Sequence, residues 1–389
     1  MAHQLPLTLA IDDHNNHGNL SIKLFAELEE LSRIVDISYC VGMTGISKPF
    51  QCASRCDEFP DFELVDTFNT GPLMSDSCGY IALDHNKNYG GNGRIIVAFR
   101  GTYSIANTIV DLSTVPQEYV PYPDNPENDT TPAQKPKAKC NNCTVHTGFW
   151  KSWQNTRPFI SPHVEASRNK YPDYQLHLVG HSLGGAVAGL AGLEFDSMGF
   201  KPIVTTFGEP RVGNSGLRDW IDLTFSLDSE HTSNTKSELK AGRYRRITHV
   251  DDPVPLLPLQ EWGYRAHAGE VFISKPSLQP SINDIRLCYG DEDVNCIAGA
   301  EVDESWFYAV ANVDEVTANI PEHKQFVSKI GKRWGIPIPA RYKMWQLFFA
   351  HRDYFWRLGL CLPGGDPMDW GRGRYDFGED DDKLEKVDL

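Results

Sequence analysis

The residues best suited to chemistry in this 389-residue chain are Gly180, Ser182 and Gly184, which form a Gly-x-Ser-x-Gly motif. Residues 174–179 before the motif predict a short apolar strand, and residues 183–197 after it predict a helix that opens with small side chains. A serine on a tight turn between strand and helix is held in a strained backbone conformation, beside the positive end of the helix dipole. The motif therefore predicts a nucleophilic serine.

A serine hydroxyl becomes a good nucleophile only beside a general base, which a carboxylate in turn orients. For a serine on this kind of turn, the acid and then the histidine follow it along the chain. Asp251 and Asp252 follow a predicted strand at 243–250, and their spacing does not choose between them. His267 and His351 are both candidates for the base, and sequence position leaves these two open as well.

The negative oxygen that forms during acyl transfer needs two backbone N–H donors. Leu183, the residue after the serine, is expected to supply one of them. Thr102 is expected to supply the other, because it follows a buried strand predicted at 94–99.

Strands and helices alternate between residues 90 and 275, which predicts an α/β fold with a predominantly parallel central sheet flanked by helices. Further strands are predicted at 201–207 and 270–273, and further helices at 18–39, 105–112 and 148–170. The helix at 105–112 is short and amphipathic, with apolar side chains at Ile105, Ile109, Val110 and Leu112. Residues 40–78 are predicted to be loop-rich, and the proline-rich residues 113–139 to form a surface excursion.

We predict one domain over residues 1–389, with its core at about 20–362. An insert at 300–345 has no recognisable motif, and residues 363–389 form an acidic C-terminal tail, of which 376–389 is expected to be disordered.

The overall charge and the cysteines limit the possible partners and compartment. A net charge of −15 argues against nucleic acid, and no apolar run is long enough to span a membrane. The first ten residues lack a signal-peptide pattern, but nine cysteines in pairs of unequal spacing favour disulfides over zinc, and so favour secretion. Asn19, Asn128 and Asn142 stand in glycosylation triplets.

Taken together, these motifs resemble the fungal and yeast class 3 lipases, which are secreted triacylglycerol lipases of the α/β-hydrolase fold. The matching segments are Phe99-Arg-Gly-Thr102, Cys140-x-x-Cys143-x-Val145-His146-x-Gly148-Phe149, Gly180-His-Ser-Leu-Gly184, Gly208-x-Pro210-Arg-Val-Gly-Asn214 and Tyr244-Arg-x-Ile-Thr-His249-x-x-Asp252-x-Val-Pro255. The resemblance covers about 20–300 and 345–362.

The resemblance implies a catalytic triad of Ser182, Asp252 and His351, with the helix at 105–112 as a lid. It also implies the disulfides Cys40–Cys361, Cys52–Cys56, Cys140–Cys143 and Cys288–Cys296, and leaves Cys78 as the one thiol outside a disulfide. The implied activity is hydrolysis of long-chain acylglycerol esters at a lipid–water interface, by a monomer that needs no metal or cofactor. A phospholipase or feruloyl-type esterase is the alternative on the same scaffold, and a catalytically silent lipid-binding protein is the rival from another class.

Overall fold

The central feature of the computed structural model is an eight-stranded sheet within the described residues, which are 20–71, 77–86, 92–102, 112, 119–121, 140–227, 242–299, 349–371, 373 and 375. Its strands are β1 Phe62–Asn69, β2 Cys78–Asp84, β3 Arg94–Arg100, β4 Gln175–His181, β5 Ile203–Phe207, β6 Tyr244–His249, β7 Glu270–Ile273 and β8 Ile285–Leu287. They lie side by side in chain order. Strands β3 to β7 are mutually parallel, and β1, β2 and β8 extend the two edges with antiparallel pairs.

Helices cover both faces of this sheet because its central strands are apolar on both sides. The helices are α1 Ile22–Ile37, α2 Thr147–Lys170, α3 Leu183–Ser197 and α4 Ser215–Phe225. Side chains alternate along β3, so that Ile95 and Val97 join the core formed with α2, α3 and α4, whereas Ile96 and Ala98 join the core formed with α1. The continuous apolar pattern predicted from the sequence is therefore a strand buried on both faces.

Short elements connect and support the sheet. One two-stranded pair joins Ile46–Ser47 to Gln51–Cys52, and a second small sheet contains Tyr119–Pro121, Thr144–His146, Gly213–Asn214 and Tyr264–Arg265. The 3-10 helices are Ser38–Cys40, Cys56–Glu58, Val254–Leu256, Gln260–Trp262, Ile282–Asp284 and Pro367–Asp369. No helix within the described ranges is both long and apolar enough to cross a membrane.

The four predicted disulfides are confirmed. The bridges are Cys40–Cys361, Cys52–Cys56, Cys140–Cys143 and Cys288–Cys296. Cys78 is buried in β2 and takes part in none of them. The first bridge joins chain positions separated by 321 residues, and so ties the end of the first helical segment to the end of the predicted core.

The elements predicted between 94 and 273 are confirmed to within two residues at each end, apart from those on residues that are not described. The expectation of a loop-rich segment at 40–78 is wrong for β1. Phe62, Leu64 and Phe68 point into the core, but a register shift between Leu64 and Asp66 interrupts the alternation that marks a strand.

Several expectations fall on residues outside the described part. They concern most of 105–112, most of 113–139, the insert at 300–345 and the tail at 376–389. Leu112 is described, and it is helical and buried in the core with α2 and α3. Packing also continues past residue 362, because Asp366 and Asp369 are both only 3% exposed.

Candidate active site

The predicted turn between strand and helix is present at Ser182. β4 ends at His181 and α3 begins at Leu183, so Ser182 lies alone between them with φ 58° and ψ −131°. A Cβ atom at Gly180 would approach the carbonyl oxygen of Gly184 to 2.2 Å, which only glycine avoids. The motif is therefore required by the close approach of the helix to the end of the strand.

The reactive atoms predicted for serine and histidine are enclosed and not engaged elsewhere. Ser182 and His351 are both 0% exposed. Among the described residues, neither Ser182 Oγ nor His351 Nε2 has a hydrogen-bond partner. Buried polar atoms are usually paired, so these two atoms remain available for a chemical role.

Asp252 holds the other nitrogen of the His351 ring. His351 Nδ1 lies 2.9 and 2.8 Å from the two carboxylate oxygens of Asp252, which also accept hydrogen bonds from the Val254 N–H and the Tyr354 hydroxyl. Burial raises the pKa of Asp252, but the charge of His351 and these hydrogen bonds outweigh it and hold that pKa below its usual value. Asp251 is exposed, so the structure brings only Asp252 to the histidine.

Gly208, directly after β5, lies against this pair. It has φ +61°, and a Cβ there would lie 2.5 Å from the Tyr354 hydroxyl, 2.8 Å from His351 Cε1 and 2.9 Å from Asp252 Oδ2. The glycine thus allows Asp252, His351 and Tyr354 to pack on the main chain.

A second polar chain, missed by the sequence analysis, runs behind the serine. The N–H of Gly101 donates to the Tyr39 hydroxyl at 3.2 Å, and that hydroxyl contacts His181 Nδ1 at 2.5 Å. His181 Nε2 lies 2.8 Å from the carbonyl oxygen of His351. Burial lowers the pKa of His181 to about 3, so its ring is neutral, accepting at Nδ1 and donating at Nε2.

The predicted oxyanion donors lie at the two segments that border the serine. A Cβ at Gly101 would be 2.8 Å from Ser182 Cβ, and Thr102 is the next residue, half-buried after the end of β3. Leu183 is the first residue of α3, where N–H groups have no acceptor within the helix. Both N–H groups therefore come from backbone that adjoins Ser182.

The other candidates are engaged elsewhere or lie outside the described residues. His267 Nε2 is 3.3 Å from Glu209 Oε1, so the carboxylate it faces is Glu209. Asn142 is exposed with φ 54°. The candidates Ile105, Ile109, Val110, Asn19 and Asn128 lie outside the described part.

Comparisons with known proteins agree with this geometry. A family model described as "Lipase (class 3)" matches residues 96–262. A Gibberella zeae protein named secreted mono- and diacylglycerol lipase 2 is 53% identical over 381 residues, which covers 94% of this chain and 89% of that protein. Lipase A of Sodiomyces alcalophilus is 52% identical over 367 residues, covering 91% and 86%. The crystal structure of Lip2 lipase from Yarrowia lipolytica has a TM-score of 0.66 at 29% identity, covering 89% of this chain and 98% of that one.

Together, the parallel sheet, the serine on its tight turn and these similarities define the class of enzyme. The chain belongs to the class 3 lipases of the α/β-hydrolase fold and is a secreted carboxylic ester hydrolase. Its similarity to the first of these relatives extends over nearly the full length of both chains.

Proposed function

We propose that this enzyme is a triacylglycerol lipase that cleaves long-chain acylglycerol esters through a triad of Ser182, His351 and Asp252. The observation that carries the proposal is the pair of buried atoms Ser182 Oγ and His351 Nε2, which have no hydrogen-bond partner in the described part of the chain, with His351 Nδ1 held by Asp252. In this arrangement His351 can take a proton at Nε2 only, because Nδ1 donates to the carboxylate.

The chemical steps follow from these positions. Ser182 Oγ attacks the ester carbonyl while its proton passes to His351 Nε2, and Asp252 stabilises the imidazolium. The N–H groups of Leu183 and Thr102 bind the tetrahedral oxyanion. His351 then protonates the departing alcohol oxygen, and a water molecule activated by the same ring hydrolyses the acyl-enzyme.

Substrate access requires a movement, because Ser182 is 0% exposed. We assign this movement to the amphipathic segment 105–112, whose apolar side chains would face lipid once it opens. The expected signature is a steep rise in activity when a short-chain ester exceeds its solubility and forms droplets. A rate that increases smoothly through that point would contradict a lid.

A second candidate substrate class is monoacylglycerol and diacylglycerol. The Gibberella zeae relative is named for that activity, and it is 53% identical to this chain. Matched emulsions of trioleoylglycerol, dioleoylglycerol and monooleoylglycerol separate the two, because a triacylglycerol lipase retains a high rate on the first. Phosphatidylcholine and a feruloyl ester in the same series test the phospholipase and esterase alternatives.

The mechanism is tested by labelling the enzyme with an alkyl phosphonate and mapping the modified peptide. The label is expected on Ser182 alone, in a stoichiometry that matches the loss of activity. Ser182→Ala should abolish both labelling and activity. Ser197 lies at the exposed end of α3, and Ser197→Ala should change neither the labelling nor the activity. Label on any other residue would refute the triad.

A further inference from the structure

The segment Leu362–Trp370, here called the C-terminal strap, follows the last disulfide cysteine and folds back on the core. Asp366 precedes a 3-10 turn at Pro367–Asp369 and accepts the N–H of Met368 at 2.9 Å. Although the strap looks like the start of an acidic tail in the sequence, Asp366 is only 3% exposed. Its carboxylate therefore faces the protein and not the solvent.

The partner of Asp366 is the residue directly after the predicted catalytic histidine. Asp366 Oδ2 lies 2.7 Å from Arg352 Nη2, and Arg352 Nε donates to the carbonyl oxygen of Leu358 at 2.5 Å. Arg352 is 4% exposed, so its guanidinium is fixed on two sides within the protein. Because His351 and Arg352 share a peptide bond, this anchoring limits how far the His351 backbone can rotate.

Other strap contacts reach the far end of the same loop. Asp369 Oδ2 accepts the N–H of Arg357 at 2.8 Å. The backbone of Gly365 lies on the guanidinium of Arg55, where a Cβ would come within 2.5 Å, and Arg55 in turn covers the ring of Trp356 at 4.4 Å. The strap therefore packs along the loop that carries His351.

This support matters because, in the described chain from residue 349 onward, the histidine does not follow a strand. Ser182 directly follows β4, and Asp252 comes three residues after β6. β8 ends at Leu287, and the described chain around His351 is a short helical turn followed by an irregular loop. Within the described residues, the position of its ring therefore depends on tertiary contacts.

Two carboxyl groups from different elements act on Arg352, beside the neutral groups Tyr39 and His181. Asp366 comes from the strap, and Asp36 comes from α1 with Arg55 beside it. Burial raises the pKa of Asp36 to about 7, so Asp36 is only partly charged at neutral pH. Asp366 contacts Arg352 directly. His181, on the other side of His351, is neutral.

We propose that Asp366, acting through Arg352, is a positioning residue for His351, which makes the C-terminal strap a working part of the catalytic site. The inference rests on the proposed role of His351 as the general base. Removing the Asp366 charge weakens the hold on the Arg352 guanidinium, which frees the backbone of His351 to shift and displaces its ring from Asp252 and Ser182.

Asp366→Asn tests the proposal with a matched control at Asp84. Like Asp366, Asp84 is buried, accepts an arginine N–H at 2.7 Å and accepts the N–H two residues later at 2.9 Å, but it lies at the opposite end of β3 from the serine. With a soluble short-chain ester and active sites counted by phosphonate, D366N should lower kcat per site about 10- to 100-fold with little change in KM. D84N should leave kcat per site unchanged.

Rescue by a charge-conserving variant distinguishes positioning from simple destabilisation. D366E keeps a carboxylate as the acceptor for Arg352, so its kcat per titrated site should return towards that of the wild type. Loss of structure alone would reduce the number of titrated sites and leave kcat per site unchanged in D366N, which would overturn the proposal.

Arg352→Lys keeps the test decisive if D366N does not accumulate as folded protein. Lysine retains the charge but cannot reproduce the guanidinium contacts with Asp366 and Leu358 together, so kcat per site should fall. A wild-type kcat in R352K or in D366N overturns the positioning role. A wild type that is not labelled at Ser182 overturns the proposed function first, and this inference with it.

Discussion

Gly208→Ala is the substitution that tests the packing of the catalytic site most directly. The added methyl group would lie 2.5 Å from the Tyr354 hydroxyl, 2.8 Å from His351 Cε1 and 2.9 Å from Asp252 Oδ2. All three neighbours belong to one hydrogen-bonded group around Asp252, so none can move without disturbing the others.

The size of the effect follows from these distances. Ordinary carbon–carbon contacts begin at about 3.5 Å, so the His351 ring must retreat by about 0.7 Å. A displacement of about 1 Å at a catalytic group lowers rates on the order of 100-fold, and we therefore expect kcat to fall about 10- to 100-fold. Overpacking adds about 1–3 kcal/mol of destabilisation to the about 1–2 kcal/mol required by a left-handed alanine.

Gly199→Ala is the matched control, because Gly199 has φ +87° and a Cβ there would meet nothing within 4 Å. It shares the backbone strain of the Gly208 substitution without the collision. The assay is kcat per phosphonate-titrated site on a soluble ester, together with urea denaturation. G199A should lose about 1–2 kcal/mol of stability and no activity.

Two outcomes would refute the reasoning. The first is a G208A enzyme whose kcat per site stays within about twofold of the wild type, since about 0.7 Å of displacement cannot be harmless if the ring position matters. The second is an equal loss of kcat in G199A, which would assign the effect to backbone strain in general.

Three further predictions follow from buried contacts. Tyr354→Phe removes a hydroxyl donor to Asp252 and should lower kcat about tenfold at unchanged KM on a soluble ester; an unchanged kcat would show that the hydroxyl is dispensable. The neutral His146 side chain caps α2, and burial lowers its pKa to about 4. Its contribution to the free energy of unfolding is therefore complete above about pH 6.5 and is lost as the pH falls towards 4. When the pH is lowered from 7 to 4, the free energy of unfolding measured in urea should fall by about 3 kcal/mol less for His146→Asn than for the wild type. Equal decreases in the two proteins would contradict this assignment. Replacing Cys40 and Cys361 by alanine opens a loop with a separation of 321 residues and should destabilise the enzyme by about 5–6 kcal/mol, seen as a lower urea midpoint; an unchanged midpoint would argue against the chain-entropy estimate.

Local features of the site could be predicted from the sequence because their causes are local. Gly180 and Gly184 are needed for the close approach of α3 to β4, and that need is visible in a five-residue motif. Sequence spacing does not distinguish Asp251 from Asp252, because the difference depends on which carboxylate is buried by distant parts of the chain. Asp252 is 1% exposed and contacts His351, 99 residues away.

The contacts that the sequence did not reveal join distant positions, including the Tyr354 hydroxyl and Asp252, which are 102 residues apart. Tyr39 and His181 are separated by 142 residues and meet only because α1 packs on the sheet. Tyr354 follows His351 by three residues, a spacing with no recognisable pattern outside a regular helix. The only signal for His181 was its place inside the Gly-x-Ser-x-Gly motif, where the type of the variable residue carries no general rule.

The disulfides differ in how strongly they restrict the unfolded chain. Cys288–Cys296 anchors the chain shortly before residue 300, and Cys40–Cys361 anchors it again ten residues after His351. The first of these anchors bridges residues eight apart, whereas the second bridges residues 321 apart. The loop-closure entropy that a disulfide removes from the unfolded chain grows with the length of the loop, so the bridge beside His351 in the chain also contributes the larger share of this entropic stabilisation.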